Sequence, residues 1–288
     1  MEPVPRQEVE ARGKGGVPLF CRRIGAEGAA GQVLFVHGYG EHAGRYLELF
    51  DALAKSGSLC VHAIDLRGHG RSGGRPGHVE RFDDYLDDVD VAAGGIPSDR
   101  PLFVVGHSMG ALVLARWLEA GRGTAAGAVF ASPYLELTRP PPPLKVAIGR
   151  AIGVFVPWIP LPSGLRIEDL TRDPDWREAT RRDPLYRTIA TPGWFDESNA
   201  ARKLALAEAG RITPPSLVLV PEEDAIASPA AARVFFDALG AADKRLVTFP
   251  GAGHELFHEL PETRRAAIAE VERFVAERLS PAGIAGTM

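Results

Sequence analysis

Two short stretches carry residues of the types and spacing that hydrolytic enzymes use. Residues 251–260 read GAGHELFHEL, which places His254, Glu255 and His258 in the order H-E-x-x-H. On a helix, two histidines so spaced can hold a zinc ion while the glutamate acts as base. Residues 106–110 read GHSMG, which places Ser108 in a G-x-S-x-G arrangement. There a serine rides a sharp strand-to-helix turn and serves as nucleophile. The first stretch points to metal-assisted hydrolysis and the second to acyl transfer, so the elements around them must decide.

Strand-like runs of four to six apolar residues ending in Gly, Pro or Asp recur along the chain. They are 16–21, 31–38, 58–70, 101–110, 125–133, 215–224 and 244–254. Such runs suit strands buried on both faces. Helical spacing of apolar residues falls between them, over 45–55, 111–120, 230–239 and 262–279. This alternation predicts an α/β chain with a doubly wound, mostly parallel central sheet flanked by helices. From about Tyr134 to Arg211 the alternation stops. That region opens on four consecutive prolines, runs through VAIGRAIGVFVPWIPLP and then becomes charged and helix-like. The reading is a core of residues 1–134 and 212–288 with a mostly helical insertion, 135–211, acting as a lid. The tail SPAGIAGTM reads as frayed chain.

Ser108 follows the apolar run Leu102–Val105 and precedes the helical run from Ala111, the strand–turn–helix context that a nucleophile elbow needs. A serine needs a base, and in this architecture acid and then histidine follow the serine along the chain. Of the eight histidines, only His254 and His258 come late enough. His254 sits directly after a strand and a Gly-Ala-Gly loop, the strand-end position of a base; His258 reads as a partly exposed residue in a short helical turn. The acid should end the strand before. Glu222, Glu223 and Asp224 all stand there, and Asp224 is preferred because Ala225–Pro229 then re-enters the fold. Two backbone N–H groups should stabilise the oxyanion, that of Met109 after the nucleophile and that of Tyr39 in the HGYG loop after an earlier strand.

The zinc reading fits less well. A strand and a glycine loop precede His254 and Pro261 follows His258, so little helix is left to carry both histidines. Glu270, Glu272 or Glu277 would have to supply a distant ligand, and the serine elbow would have no purpose. The expectation is therefore an enzyme with no metal and no cofactor.

The motifs HGYGEHAGRY (37–46), IDLRGHGRSGG (64–74), GHSMGA (106–111), DAIASP (224–229) and GAGHELFHE (251–259) together resemble the monoacylglycerol lipase / lysophospholipase-like branch of the α/β-hydrolase superfamily. In the insertion, LTRDP, RRDPLY and TPGWFDE look like that branch's cap. The resemblance implies a Ser108–Asp224–His254 triad, oxyanion donors Tyr39 and Met109, and a helical cap gating an apolar acyl tunnel. Tyr39 replaces a smaller residue common at that position, which bears on the shape of the acyl pocket.

Composition narrows the remaining classes. Net charge is −4, which gives no general field for nucleic acid. Two cysteines in apolar runs read as buried reduced thiols. The N-terminal residues show no apolar leader, and no apolar stretch reaches the roughly 18 residues of a spanning helix, so the expected setting is the cytoplasm. The apolar insertion suggests transient contact with a membrane surface through the cap. A short-chain carboxylesterase, an aminoacyl peptidase and a non-catalytic binding protein on this fold are the alternatives.

Overall fold

The computed structural model describes residues 4–55 and 57–279, so the tail at 280–288 lies outside the described residues. Ten strands and eight α-helices are formed: β1 Arg6–Arg12, β2 Pro18–Ile24, β3 Gly31–Val36, α1 Leu47–Ala54, β4 Leu59–Ile64, α2 Asp83–Gly94, β5 Leu102–His107, α3 Met109–Glu119, β6 Gly127–Ala131, α4 Pro143–Gly153, β7 Leu161–Pro162, α5 Pro174–Arg182, β8 Ile189–Ala190, α6 Pro192–Glu208, β9 Ser216–Pro221, α7 Pro229–Ala238, β10 Lys244–Phe249 and α8 Pro261–Leu279. Eight strands make one sheet in the order β1-β2-β4-β3-β5-β6-β9-β10. β1/β2 and β2/β4 pair antiparallel, and every pair from β4/β3 to β9/β10 is parallel. This is the α/β-hydrolase arrangement.

Alternation within the strands explains the layers. Val33 and Phe35 of β3, Phe103 and Val105 of β5 and Leu217 and Leu219 of β9 join one cluster with Phe50 and Leu53 of α1 and Val271 and Phe274 of α8. Their neighbours Leu34, Val36, Val104, Val218 and Val220 point the other way, into a cluster with α2, α3, α7 and the second half of α6. Residues on each strand thus serve both faces. Burying one such Val, Leu or Phe side chain is worth about 1.5–3 kcal/mol, so the central strands hold the sheet in one register.

β1 and α2 show no apolar periodicity in the sequence. β1 is the sequence RQEVEAR, exposed along almost its whole length. It has no buried face and so no alternation to read; pairing with β2 alone makes it a strand. α2 is the acidic DDYLDDVDVAAG; Tyr85, Leu86 and Val89 are its buried apolar residues, and Val91, Ala92 and Ala93 pack half-buried against the same core.

β3 is followed in the chain by β4 on one side and, after a crossover, by β5 on the other. This is the switch point at which doubly wound sheets bind ligands, beyond the carboxyl ends of their strands. The 134–211 segment lies between β6 and β9. It holds α4, α5, α6 and the small antiparallel pair β7/β8. Asp173 caps α5 and Thr191 caps α6, each accepting from helix N–H groups. Ala201 and Ala205 of α6 belong to the buried core. Among the described residues no helix is long and apolar enough to cross a membrane.

Candidate active site

Ser108 sits between β5 and α3 with φ 51° and ψ −114°. A non-glycine residue rarely takes positive φ, and holding it there costs on the order of 1–3 kcal/mol. The flanking glycines make the turn feasible. A Cβ on Gly106 would meet the Ala111 nitrogen at 2.6 Å, and one on Gly110 would collide with the Val36 carbonyl. The strain is held by neighbours: Ser108 N–H donates to Ala131 O at 2.9 Å, and Ser108 O accepts from Leu112 N–H at 3.2 Å.

Asp224 follows β9. Its Oδ1 accepts from the N–H groups of Ile226 (2.8 Å) and Ala227 (2.9 Å), which fixes the carboxylate and turns Oδ2 toward His254. Glu222 and Glu223, the other candidates for the acid, are exposed, and Glu222 pairs with Arg233. His254 follows β10 across a loop. Its Nδ1 lies 2.7 Å from Asp224 Oδ2 and its Nε2 2.8 Å from Ser108 Oγ. The His254 carbonyl accepts from Ser132 Oγ at 2.7 Å, which pins the loop from the end of β6. Burial lowers the His254 pKa, but the charge and hydrogen bond of Asp224 outweigh it, and the net shift is upward. All three residues are buried.

The loop after β3 lies against the serine, for a Cβ on Gly38 would be 3.2 Å from Ser108 Cβ. The Gly38 N–H is already held by Glu41 Oε1 at 2.6 Å, and Tyr39 is the next amide along. The Met109 N–H opens α3, where no preceding turn supplies a carbonyl. The Tyr39 ring stacks on Trp194 at 3.6 Å, and its single hydroxyl proton is shared between Gly77 O (2.9 Å) and Ile189 O (3.0 Å). Tyr39 thereby ties the core loop to α6 and β8.

Behind these residues lies a buried polar network that sequence reasoning missed. Arg45 contacts Glu255 (2.8 Å), Glu41 (3.3 Å) and Thr180 Oγ1 (2.9 Å). Burial opposes charge on Glu255, but Arg45 and His258 hold its pKa down to about 2. Burial likewise opposes charge on Glu41, yet His107, Arg45 and His258 keep it well below the usual carboxylate range. His258, expected to be partly exposed, is instead buried, 3.0 Å from Glu255 and 3.1 Å from Arg45 O. Its partner Arg45 lies 213 positions earlier in the chain, so no local pattern could reveal the contact. Cys21 and Cys60 are free thiols, and Cys21 is half-buried rather than buried.

The residues of H-E-x-x-H diverge. His254 faces Asp224 and Ser108, while His258 faces Glu255 and Arg45. The turn at Leu256–His258 is three residues of 3₁₀ helix, too short to set both rings on one face. Among the described residues, Glu41, Glu255 and His258 do bring ligand atoms within 4.8 Å of one another. The Arg45 guanidinium already contacts both of those carboxylates, so a cation is in place.

Ser108 and His254 line the floor of a cavity of about 380 Å³, within the roughly 300–1,000 Å³ usual for small-molecule sites. Its wall is mostly apolar and includes Tyr134, Leu137, Trp194 and Phe195. A serine oxygen against an imidazole held by a carboxylate, at the end of such a cavity, can carry out acyl transfer. Residues 27–261 match the family described as serine aminopeptidase, S33. The chain belongs to that family. It is 33% identical to the monoglyceride lipase of Mus musculus over 93% of this chain and 90% of that protein. It is 29% identical to the monoacylglycerol lipase of Mycolicibacterium smegmatis over 86% of this chain and 89% of that one. The crystal structure of Paleococcus ferrophilus monoacylglycerol lipase superposes with a TM-score of 0.75 at 29% identity, covering 95% of this chain and 100% of that one. The chain is accordingly an α/β-hydrolase enzyme of the lipase and esterase type.

Proposed function

We propose that this serine hydrolase cleaves the carboxylic ester of single-chain acylglycerol lipids, monoacylglycerols or lysophospholipids, through an acyl-enzyme on Ser108. The observation that carries the reading is the unbroken hydrogen-bonded row Asp224–His254–Ser108 at the floor of an apolar cavity. In this mechanism Ser108 Oγ attacks the ester carbonyl and passes its proton to His254 Nε2. Asp224 holds the imidazole and stabilises the imidazolium. The oxygen that gains charge lies against the N–H groups of Tyr39 and Met109. Collapse expels the glycerol oxygen, which takes the proton from His254. Water then gives a proton to His254, attacks the acyl carbon and releases the fatty acid, and the Ser108 hydroxyl is restored.

The 135–211 segment serves as the cap. Its ties to the core favour this: Arg187 N–H donates to Gly40 O at 2.6 Å, and His42 pairs with Asp183 at 2.9 Å. Among the described residues nine large apolar side chains are exposed, and five of them lie between 144 and 158, with Phe155 81% exposed. So dense an apolar surface fits transient docking on a lipid interface, and the free thiols suit a reducing compartment such as the cytoplasm.

The test is hydrolysis of glycerol monoesters of rising chain length by wild type and Ser108→Ala. Loss of all turnover in the variant, with medium and long chains preferred by wild type, supports the reading. Preference for acetate esters would favour a general esterase, preference for aminoacyl amides a peptidase, and wild-type rates in Ser108→Ala would overturn the mechanism.

A further inference from the structure

The cavity has a sharp division of charge between its floor and its mouth. At the floor the two carboxylates Glu41 and Glu255 share a single guanidinium, Arg45. At the mouth, where the lining residues are exposed, stand Arg139, Lys145 and Arg166 against one lining carboxylate, Asp169. The three cations come from three separate segments: the chain after β6, the first turn of α4 and the loop after β7. Two of them make long ion pairs, Arg139 with Asp169 and Arg166 with Glu168, each at 3.9 Å, and Glu168 is shared with Arg181 at 2.7 Å. Lys145 has no ion-pair partner among the described residues, and its Nζ lies 3.6 Å from where a Cβ on Gly164 would be, so it reaches across to the opposite loop. The placement of Lys145 also runs against helix electrostatics. The first turn of α4 holds no acidic residue and no side-chain cap, although carboxylates are favoured there and cations are not. A chain of net charge −4 thus sets an excess of positive charge around the opening above its nucleophile.

We propose that this mouth is a specificity site for an anionic head group: Arg139, Lys145 and Arg166 favour acylglycerols whose glycerol carries a phosphate over neutral acylglycerols. The inference rests on the reading of Ser108 as the acyl acceptor, and it names which lipid that serine receives. With the ester carbonyl at Ser108 and the acyl chain along the apolar wall, the glycerol end can point outward, where phosphate oxygens would accept charge-assisted hydrogen bonds. The cations are exposed and therefore screened by salt.

The experiment compares kcat/KM for monooctanoylglycerol and for octanoyl lysophosphatidate, which differ only in the phosphate, both below their aggregation thresholds so that no lipid surface contributes. The readout is the anionic-to-neutral ratio in wild type, in the triple variant Arg139→Gln/Lys145→Gln/Arg166→Gln, and in Arg150→Gln, an α4 arginine outside the mouth. The expected result is a wild-type ratio above one that falls roughly tenfold in the triple variant, mostly through KM, falls with added NaCl, and is unmoved in Arg150→Gln. Should both substrates be cleaved through Ser108 at a ratio the triple variant does not change, the head-group inference is wrong and the esterase reading stands. If the anionic preference emerges only on vesicles containing anionic lipid, the cations read a membrane rather than the substrate, and the proposal is likewise overturned. Cleavage of neither substrate removes both.

Discussion

From Phe103 at the start of β5 to Ala115 in α3 every residue is buried, whereas α4 buries none of its eleven residues. The first sets Ser108 at the floor of the cavity; α4 brings Lys145 to its mouth and, with the exposed stretch 154–158, makes the outer side, the roof. The floor must hold Ser108, His254 and Asp224 within hydrogen-bond reach of one another, and it does so by close packing, a strained serine and backbone ties. The roof presents exposed apolar and cationic side chains to the solvent. On the proposed reading the floor sets the chemistry and the roof the choice of substrate. A substitution should therefore read differently according to the side on which it falls.

The largest contrast is in turnover. His254→Ala and Asp224→Asn should each lower kcat on p-nitrophenyl octanoate by about 10⁴-fold while the far-UV spectrum stays native; Phe155→Asp on the roof should change it less than twofold. Comparable losses on both sides would erase the distinction. Next comes the polar network beneath the floor. Arg45→Met strands two buried carboxylates and should cost about 3–5 kcal/mol in urea unfolding, whereas Arg150→Met, on an exposed pair with Asp196, should cost under about 1 kcal/mol. Glycines sharpen the comparison further. Gly110→Ala forces a Cβ against the Val36 carbonyl and should destabilise by about 3 kcal/mol. Gly149→Ala in α4 meets nothing within 4 Å and should stabilise by about 0.5–1 kcal/mol. The smallest effect is in pH. Only neutral His254 can accept the serine proton, and its raised pKa means that this form is lost earlier as pH falls. The acid limb of kcat/KM should have its midpoint above the ordinary histidine value of about 6.5, and a midpoint below it would show that Asp224 does not dominate.

How far the sequence could be read follows the same division. The turn at Gly106–Gly110 and the loop at Asp224 are legible because each follows a continuous apolar run, Leu102–Val105 or Leu217–Val220, while His254 follows the mixed run Leu246–Phe249 and a glycine loop. A short range of residues carries both the motif and its structural context. The second histidine of GAGHELFHEL was misread, since its burial depends on Glu255, Arg45 and the ring of Trp176, 4.2 Å away. Polar residues of this kind reveal their burial only when distant segments converge. β1 and α2 escaped for a related reason: one has no buried face and the other is largely acidic, so neither shows the periodicity that sequence reading depends on. In the insertion, helical character could be read, but the two-residue strands β7 and β8 are too short to leave a pattern.

The most direct test of the account is covalent capture of the nucleophile with an alkyl fluorophosphonate, followed by intact-mass analysis and peptide mapping. The account predicts one adduct per chain, on Ser108, formed in step with loss of ester hydrolysis and abolished in His254→Ala. An adduct on another residue, or full hydrolysis by protein whose Ser108 is blocked, would contradict it.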